Sequence, residues 1–171
     1  MRAKFWIHAA VLAIMALGVL VFGSTAAMAH GKSKPLKLVG TPIQSDFIDL
    51  GDPGPSLGDE FIASQTLLRR GREVGEAGIV CTTTEVVPPY DVETLHCVAT
   101  LSLRKGQITL QGLIEVQGMD DPGPFTVAIT GGTGKFRGAS GEARVRSRAN
   151  GTMVYKLSFD SAKKKHKKHH R

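Results

Sequence analysis

Beyond residue 30 the chain has almost no helical period, and this constrains its fold more than any single motif. A helix needs apolar residues every three or four positions, whereas a strand needs them every second position. Short segments here alternate or run apolar, and Gly, Pro and Asp break them. In 107–117 (QITLQGLIEVQ) Ile108, Leu110, Ile114 and Val116 share one face. Gln107, Thr109, Gln111 and Glu115 share the other, joined by Leu113. In 142–149 Glu142, Arg144, Arg146 and Arg148 oppose Ala143, Val145, Ser147 and Ala149. Candidate strands run over 36–40, 43–50, 59–70, 74–87, 93–104, 107–117, 125–130, 142–149 and 152–160. Many short strands at near-regular spacing, each with one dry and one wet face, predict an antiparallel barrel or sandwich.

The small dry-side residues of 142–149 suggest room inside a closed barrel. Asn150-Gly151 predicts a tight hairpin between the last two strands. Asp52-Pro53-Gly54-Pro55 recurs as Asp121-Pro122-Gly123-Pro124. Both are read as loops, because Pro cannot donate to a ladder and one carboxylate per loop is too few for calcium. Cys81 and Cys97 flank Pro88-Pro89, and residue 89 is their midpoint. A symmetric hairpin about that point sets them opposite each other, where facing Cβ atoms lie about 4.5–5.5 Å apart. A Cys81–Cys97 disulfide is therefore expected.

The N-terminus supplies a compartment. Arg2 and Lys4 precede an apolar run over 9–22, and Ala27-Met28-Ala29 follows. This pattern predicts a signal peptide over 1–29 and a secreted or envelope-associated protein, in which a disulfide persists. Removing Arg2, Lys4 and the six Lys and Arg of 163–171 from the formal +7 leaves residues 30–162 near −1. The body thus has no basic nucleic-acid face by net charge. The low-complexity tail KKKHKKHHR, within 161–171, is expected to be disordered and suits an anionic cell-envelope polymer or lipid. No cofactor or metal site is called for. His30 would head the mature chain, but an N-terminal copper site needs a second histidine, and only His96 lies in the body, on the expected outer face. No serine–histidine–aspartate set accompanies it.

The glycine-rich stretch 130–138 (TGGTGKFRG) invites a phosphate-loop reading. Phe136 follows Gly134-Lys135 where Ser or Thr is required, Ile129 replaces the first glycine, and a strand rather than a helix follows. The stretch is read as a crossing between two strands, with Phe136 tucked beneath it.

The same residues carry a resemblance. Phe125–Val145, FTVAITGGTGKFRGASGEARV, resembles a segment of plant allene oxide cyclases and, more loosely, of dirigent proteins. Leu57-Gly58-Asp59-Glu60-Phe61, the run Val74 to Cys81 (VGEAGIVC) and Gly106 to Gly112 (GQITLQG) match in the same order. The resemblance covers about 44–160, with 30–43 left as a flexible lead. It implies an eight-stranded antiparallel up-and-down barrel, often trimeric. It also implies that a small apolar or phenolic molecule is confined and shaped inside. The cyclases' first-strand carboxylate points to Asp46 or Asp49 as catalytic candidates. Their tyrosine position falls near Ile114, and their pocket cysteine falls at Cys81. Gln111 on the matched strand, with Gln65 and Tyr155, makes up the candidate pocket. No aromatic cage is evident, the body having Phe and Tyr but no Trp. The first expectation is a secreted small-molecule-binding barrel. The alternatives are an isomerase or cyclase of an oxidised lipid or phenolic compound, and a structural or adhesive module held by its basic tail.

Overall fold

The computed structural model describes residues 34–51, 53–88, 92–117 and 122–160. The strands are β1 (Leu36–Ile48), β2 (Glu60–Arg69), β3 (Arg72–Val87), β4 (Val92–Leu103), β5 (Gly106–Gln117), β6 (Phe125–Gly132), β7 (Gly141–Ser147) and β8 (Met153–Phe159). Each runs antiparallel to the next, and β8 pairs back onto β1 to close an eight-stranded barrel. Closure removes every sheet edge. The expected signal peptide (1–29), His30 and the tail (161–171) lie outside the described residues, as do Asp52 and Asp121.

The first two candidate strands are one. Pro42 cannot donate to the ladder, and the β1–β2 register shifts between Pro42 and Gln44, so a bulge at Ile43 bends β1 without ending it. The lead segment therefore ends earlier than residue 43. Leu36–Gly40 pair with β8, and without them the barrel would not close.

Turn chemistry follows the glycines only in part. Asn150-Gly151 does not form a two-residue turn. Arg148 N–H bonds to the Thr152 carbonyl, Gly151 N–H returns to Arg148, and Gly151 takes φ +74°, which is a three-residue loop ending in a left-handed glycine. The stretch 130–138 is a crossing between β6 and β7 containing a single 3-10 turn, Gly134–Phe136. Gly134 takes φ +56°, and a Cβ there would press on the Lys105 carbonyl. Phe136 packs against the core, its ring 6.3 Å from that of Phe159.

One end of the barrel is filled. Leu38, Leu67, Leu101, Ile108 and Leu157 are fully or almost fully buried there, joined by Leu110, Ile129 and Val127. The small side chain of Ala143 leaves no hollow at this level, because Val127 and Leu157 flank it in register and it is wholly buried. The room inferred from small residues lies elsewhere.

Outside, the charges and apolar groups are segregated. Ile62, Val80 and Val98 stand side by side across β2, β3 and β4, all exposed. On the far side Lys37, Lys156 and Arg144 stand in one row across β1, β8 and β7.

Candidate functional site at the open end

The barrel changes character along each strand. On β2 the inward residues, taken from the filled end, are Leu67, Gln65, Ala63 and Phe61, and their exposure rises through 0, 4, 9 and 39%. The interior is therefore a cup: sealed below Gln65 and open beyond Phe61. A shallow depression of about 390 Å³ between Glu73–Glu76 and Ser102–Arg104 lies on the opposite, sealed end. It is wide open, so the cup is the better candidate site.

Gln65 and Tyr155 form the floor. The Tyr155 hydroxyl donates to Gln65 Oε1 at 2.8 Å, and Met153 Sδ lies 3.7 Å away. Gly40 makes this pair possible, since a Cβ there would collide with the Gln65 amide and the Tyr155 ring. Burial pushes the Tyr155 phenol up, so it stays a neutral donor.

The wall is set by register. Phe47, Phe61, Cys81, Cys97 and Gly112 are successive cross-strand partners from β1 to β5. Cys81 and Cys97 form the expected disulfide, directly opposite each other. Gly112 leaves space that Val127 occupies from the next strand, where a Cβ would come within 2.7 Å of Val127 Cγ1. Ile114, Leu95, Val116 and Phe125 complete the apolar lining around the disulfide. Pairing register sets Phe47 directly opposite Phe61 at the mouth, and Phe125 packs against the disulfide cluster, so three phenylalanines far apart in sequence come to the open end. Only a strand alignment would have found them.

Two carboxylates stand at the rim. Asp59, fully buried, receives the Leu50 and Ser56 N–H groups, each at 2.8 Å. The Ser56 hydroxyl has one proton to share between the Leu50 carbonyl at 2.6 Å and Asp59 Oδ1 at 3.0 Å. The Leu50 amide, then the Ser56 amide, hold the Asp59 carboxyl below the usual carboxylate range, against a smaller opposing effect of desolvation. Asp59 is a loop anchor, and its backbone also pairs with Thr83. Glu93, 8% exposed, faces inward opposite Val116, and Thr83 Oγ1 donates to its Oε2 at 3.1 Å. Alternation from Cys97 and Leu95 sets Glu93 on the inner face, but its partner could not be read from sequence, because the β3 bulge near Thr84 brings Thr83 beneath it.

The other candidates fall elsewhere. Gln111 lies on the outer face, opposite Val98 and Ala128, and its Nε2 is 2.7 Å from His96 Nε2. Strand alternation, which set Gln111 against Ile108 and Leu110, outweighs the motif match. Asp46 pairs with Ile62 on the outside, and Asp49 lies in the β1–β2 loop, 3.3 Å from the Gly54 amide. Neither aspartate joins the floor pair.

A sealed antiparallel barrel with an apolar, cross-linked cup defines a class of small confining β-barrels. Residues 39–159 match the allene oxide cyclase barrel like domain, and the chain belongs to that family. A pyocyanin demethylase structure is similar at 34% identity, with a TM-score of 0.64, covering 73% of this chain and 98% of that one. A pterocarpan synthase dirigent protein shares the fold at 17% identity and TM-score 0.54, covering 74% of this chain and 84% of that one. So does a Diels–Alderase from Streptomyces koyangensis, at 11% identity and TM-score 0.55, covering 73% and 66%. No curated protein matches the sequence significantly.

Proposed function

We propose that this chain is an exported barrel that holds one small, largely apolar molecule in the cup above Gln65 and Tyr155. The observation that carries the reading is the exposure gradient along β2, which turns a filled core into an open, Phe-lined mouth within three inward residues. Among the described residues no buried side-chain nitrogen or oxygen lacks a partner, and none of them pairs with Gln65 Nε2. That pattern supports an amide that faces a lumen reaching down to the floor. Gln65 offers a donor at the bottom, and the apolar wall supplies most of the contact, the usual division in ligand sites.

The similarity to a protein named as a pyocyanin demethylase favours an aromatic ligand. A reading in which the ligand is also transformed rests on that name, and it cannot run through Asp46, which faces outward. The disulfide supports export. The exposed row Ile62–Val80–Val98 supports self-association through β2–β4, a trimer in keeping with the resemblance, and the tail would serve envelope attachment.

Native mass spectrometry of the full chain purified from its own host tests the reading. A retained molecule of defined mass, one per subunit, is expected, and it disappears in Ala63→Trp, which fills the cup just above Gln65. A bare protein that also fails to take up small aromatic probes would refute the reading. The same spectra report the subunit count.

A further inference from the structure

We propose that Glu93, positioned by Thr83, is the ligand-selecting residue of the cup: it takes a hydrogen bond from a phenolic hydroxyl or ring N–H on a small apolar body. The inference rests on the preceding reading that the cup holds a small molecule.

The argument begins with satisfaction. An ionised carboxylate offers about four acceptor positions, and burying it in apolar surroundings is costly unless those are met. Glu93 is more than nine-tenths buried. Its cross-strand partners are Val86 and Val116, and Leu95 is the next inward residue on its own strand. Among the described residues its one hydrogen-bond partner is the Thr83 hydroxyl, on Oε2. No buried acceptor is orphaned among the described residues, so Oε1 is not sealed off, and the inner-face position of Glu93 turns it toward the mouth of the cup.

Asp59 supplies the contrast, because this fold knows how to satisfy a structural carboxylate. In the loop just before β2, Asp59 gathers two backbone amides and the Ser56 hydroxyl around its two oxygens. Glu93 receives nothing comparable. It stays in place because Thr83 is itself fixed: its N–H bonds to the Asp59 carbonyl at 2.8 Å, and its carbonyl accepts from Gly58 N–H at 3.0 Å. A rigid acceptor left open at a greasy rim selects for a donor. The floor adds the opposite preference, since Gln65 Nε2 is a free donor. A ligand with an acceptor at its inner end and a hydroxyl or N–H at its outer end meets both.

The experiment uses matched probes, 2-naphthol and its methyl ether 2-methoxynaphthalene, titrated into the full chain by calorimetry or ligand fluorescence. Wild type is expected to prefer naphthol by about 10- to 100-fold, the range set by leaving a buried acceptor without its donor. Glu93→Leu is expected to bring naphthol down to the level of the ether while leaving the ether unchanged, with circular dichroism confirming the barrel. Glu93→Gln, which keeps an acceptor and disturbs the fold least, is expected to lie between. Thr83→Val is expected to weaken naphthol alone, and Thr83→Ser to restore it. If both probes bind and the preference is absent in wild type or survives in Glu93→Leu and Glu93→Gln, the assignment is overturned and the cup stands. If neither probe binds wild type, and no retained molecule is found, both the assignment and the cup reading fall.

Discussion

The two ends of this barrel are held together by different physics. The sealed end is packed solid with branched aliphatic side chains, Leu38, Leu67, Leu101, Ile108 and Leu157 among them. The open end has half-exposed Phe47 and Phe61 and a small cluster around the disulfide. It is held by discrete ties: the Cys81–Cys97 bond, the Asp59 anchor of the β1–β2 loop, and the Thr83–Glu93 hydrogen bond. The difference follows from use. A cup forgoes the close contacts that stabilise an interior, since side chains facing a gap lose their partners on one side. Point ties can hold strands in register without filling space.

The largest effect belongs at the sealed end. Leu101 is completely buried between Ala77 and Ile108 in register, so Leu101→Ala leaves a cavity with no slack to collapse. A loss of about 2–5 kcal/mol is expected, measured by chemical denaturation. The folded fraction should still bind an aromatic probe with unchanged affinity. Loss of affinity greater than loss of fold would mean that the two ends are not independent.

Removing the disulfide comes next. Cys81 and Cys97 are separated by 16 residues, and opening a loop of that size costs about 3 kcal/mol in the chain-entropy account. Cys81→Ala with Cys97→Ala should therefore lower stability by about that amount or somewhat less, and unlike Leu101→Ala it should also weaken probe binding. The pair lies on the cup wall beside Phe61. Equal affinity in the double variant would show that the bridge is a staple only.

Asp59 gives a pH signature to the open end. Its carboxyl is held below the usual carboxylate range by the Leu50 and Ser56 amides. A group depressed in the folded state stabilises above its unfolded pKa, near 4, and that stabilisation fades as pH falls through the folded value. The melting temperature should therefore decline on the acid side of about pH 4, and the Asp59→Asn curve should be lower at neutral pH and flatter toward acid. Parallel curves would remove Asp59 as the titrating tie.

The fold was legible in the sequence because alternation is a local property. Ile108, Leu110, Ile114 and Val116 all point inward as read, and the symmetry about residue 89 places Cys81 opposite Cys97. Gln65 and Tyr155, expected on the inside, are buried there and hydrogen-bonded to each other. The cup's rim was not legible, for a physical reason. Bulges at Ile43 and Thr84 shift register by one residue, and each shift exchanges the inner and outer faces beyond it. Phe47 owes its inward aim to the first of those shifts, and Glu93 its Thr83 partner to the second. A motif match, as at Gln111, carries no information about which face a side chain takes.

Asp46 turns that lesson into the smallest prediction. It lies beyond the Ile43 bulge, and without the bulge its parity would follow Gly40 and Pro42, which face inward opposite Leu67 and Gln65. With the bulge it stands opposite Ile62 on the outer face, and among the described residues its side chain accepts only from the adjacent Phe47 amide, at 2.9 Å on Oδ1. An exposed carboxylate with one local contact contributes little, and surface substitutions of this kind fall within about 0.5 kcal/mol. Asp46→Asn should leave stability within that margin and probe affinity unchanged. A loss of binding comparable to that of the disulfide variant would place Asp46 inside the cup. It would also mean that β1 passes Ile43 without a bulge, so that the inner and outer faces of its second half are exchanged.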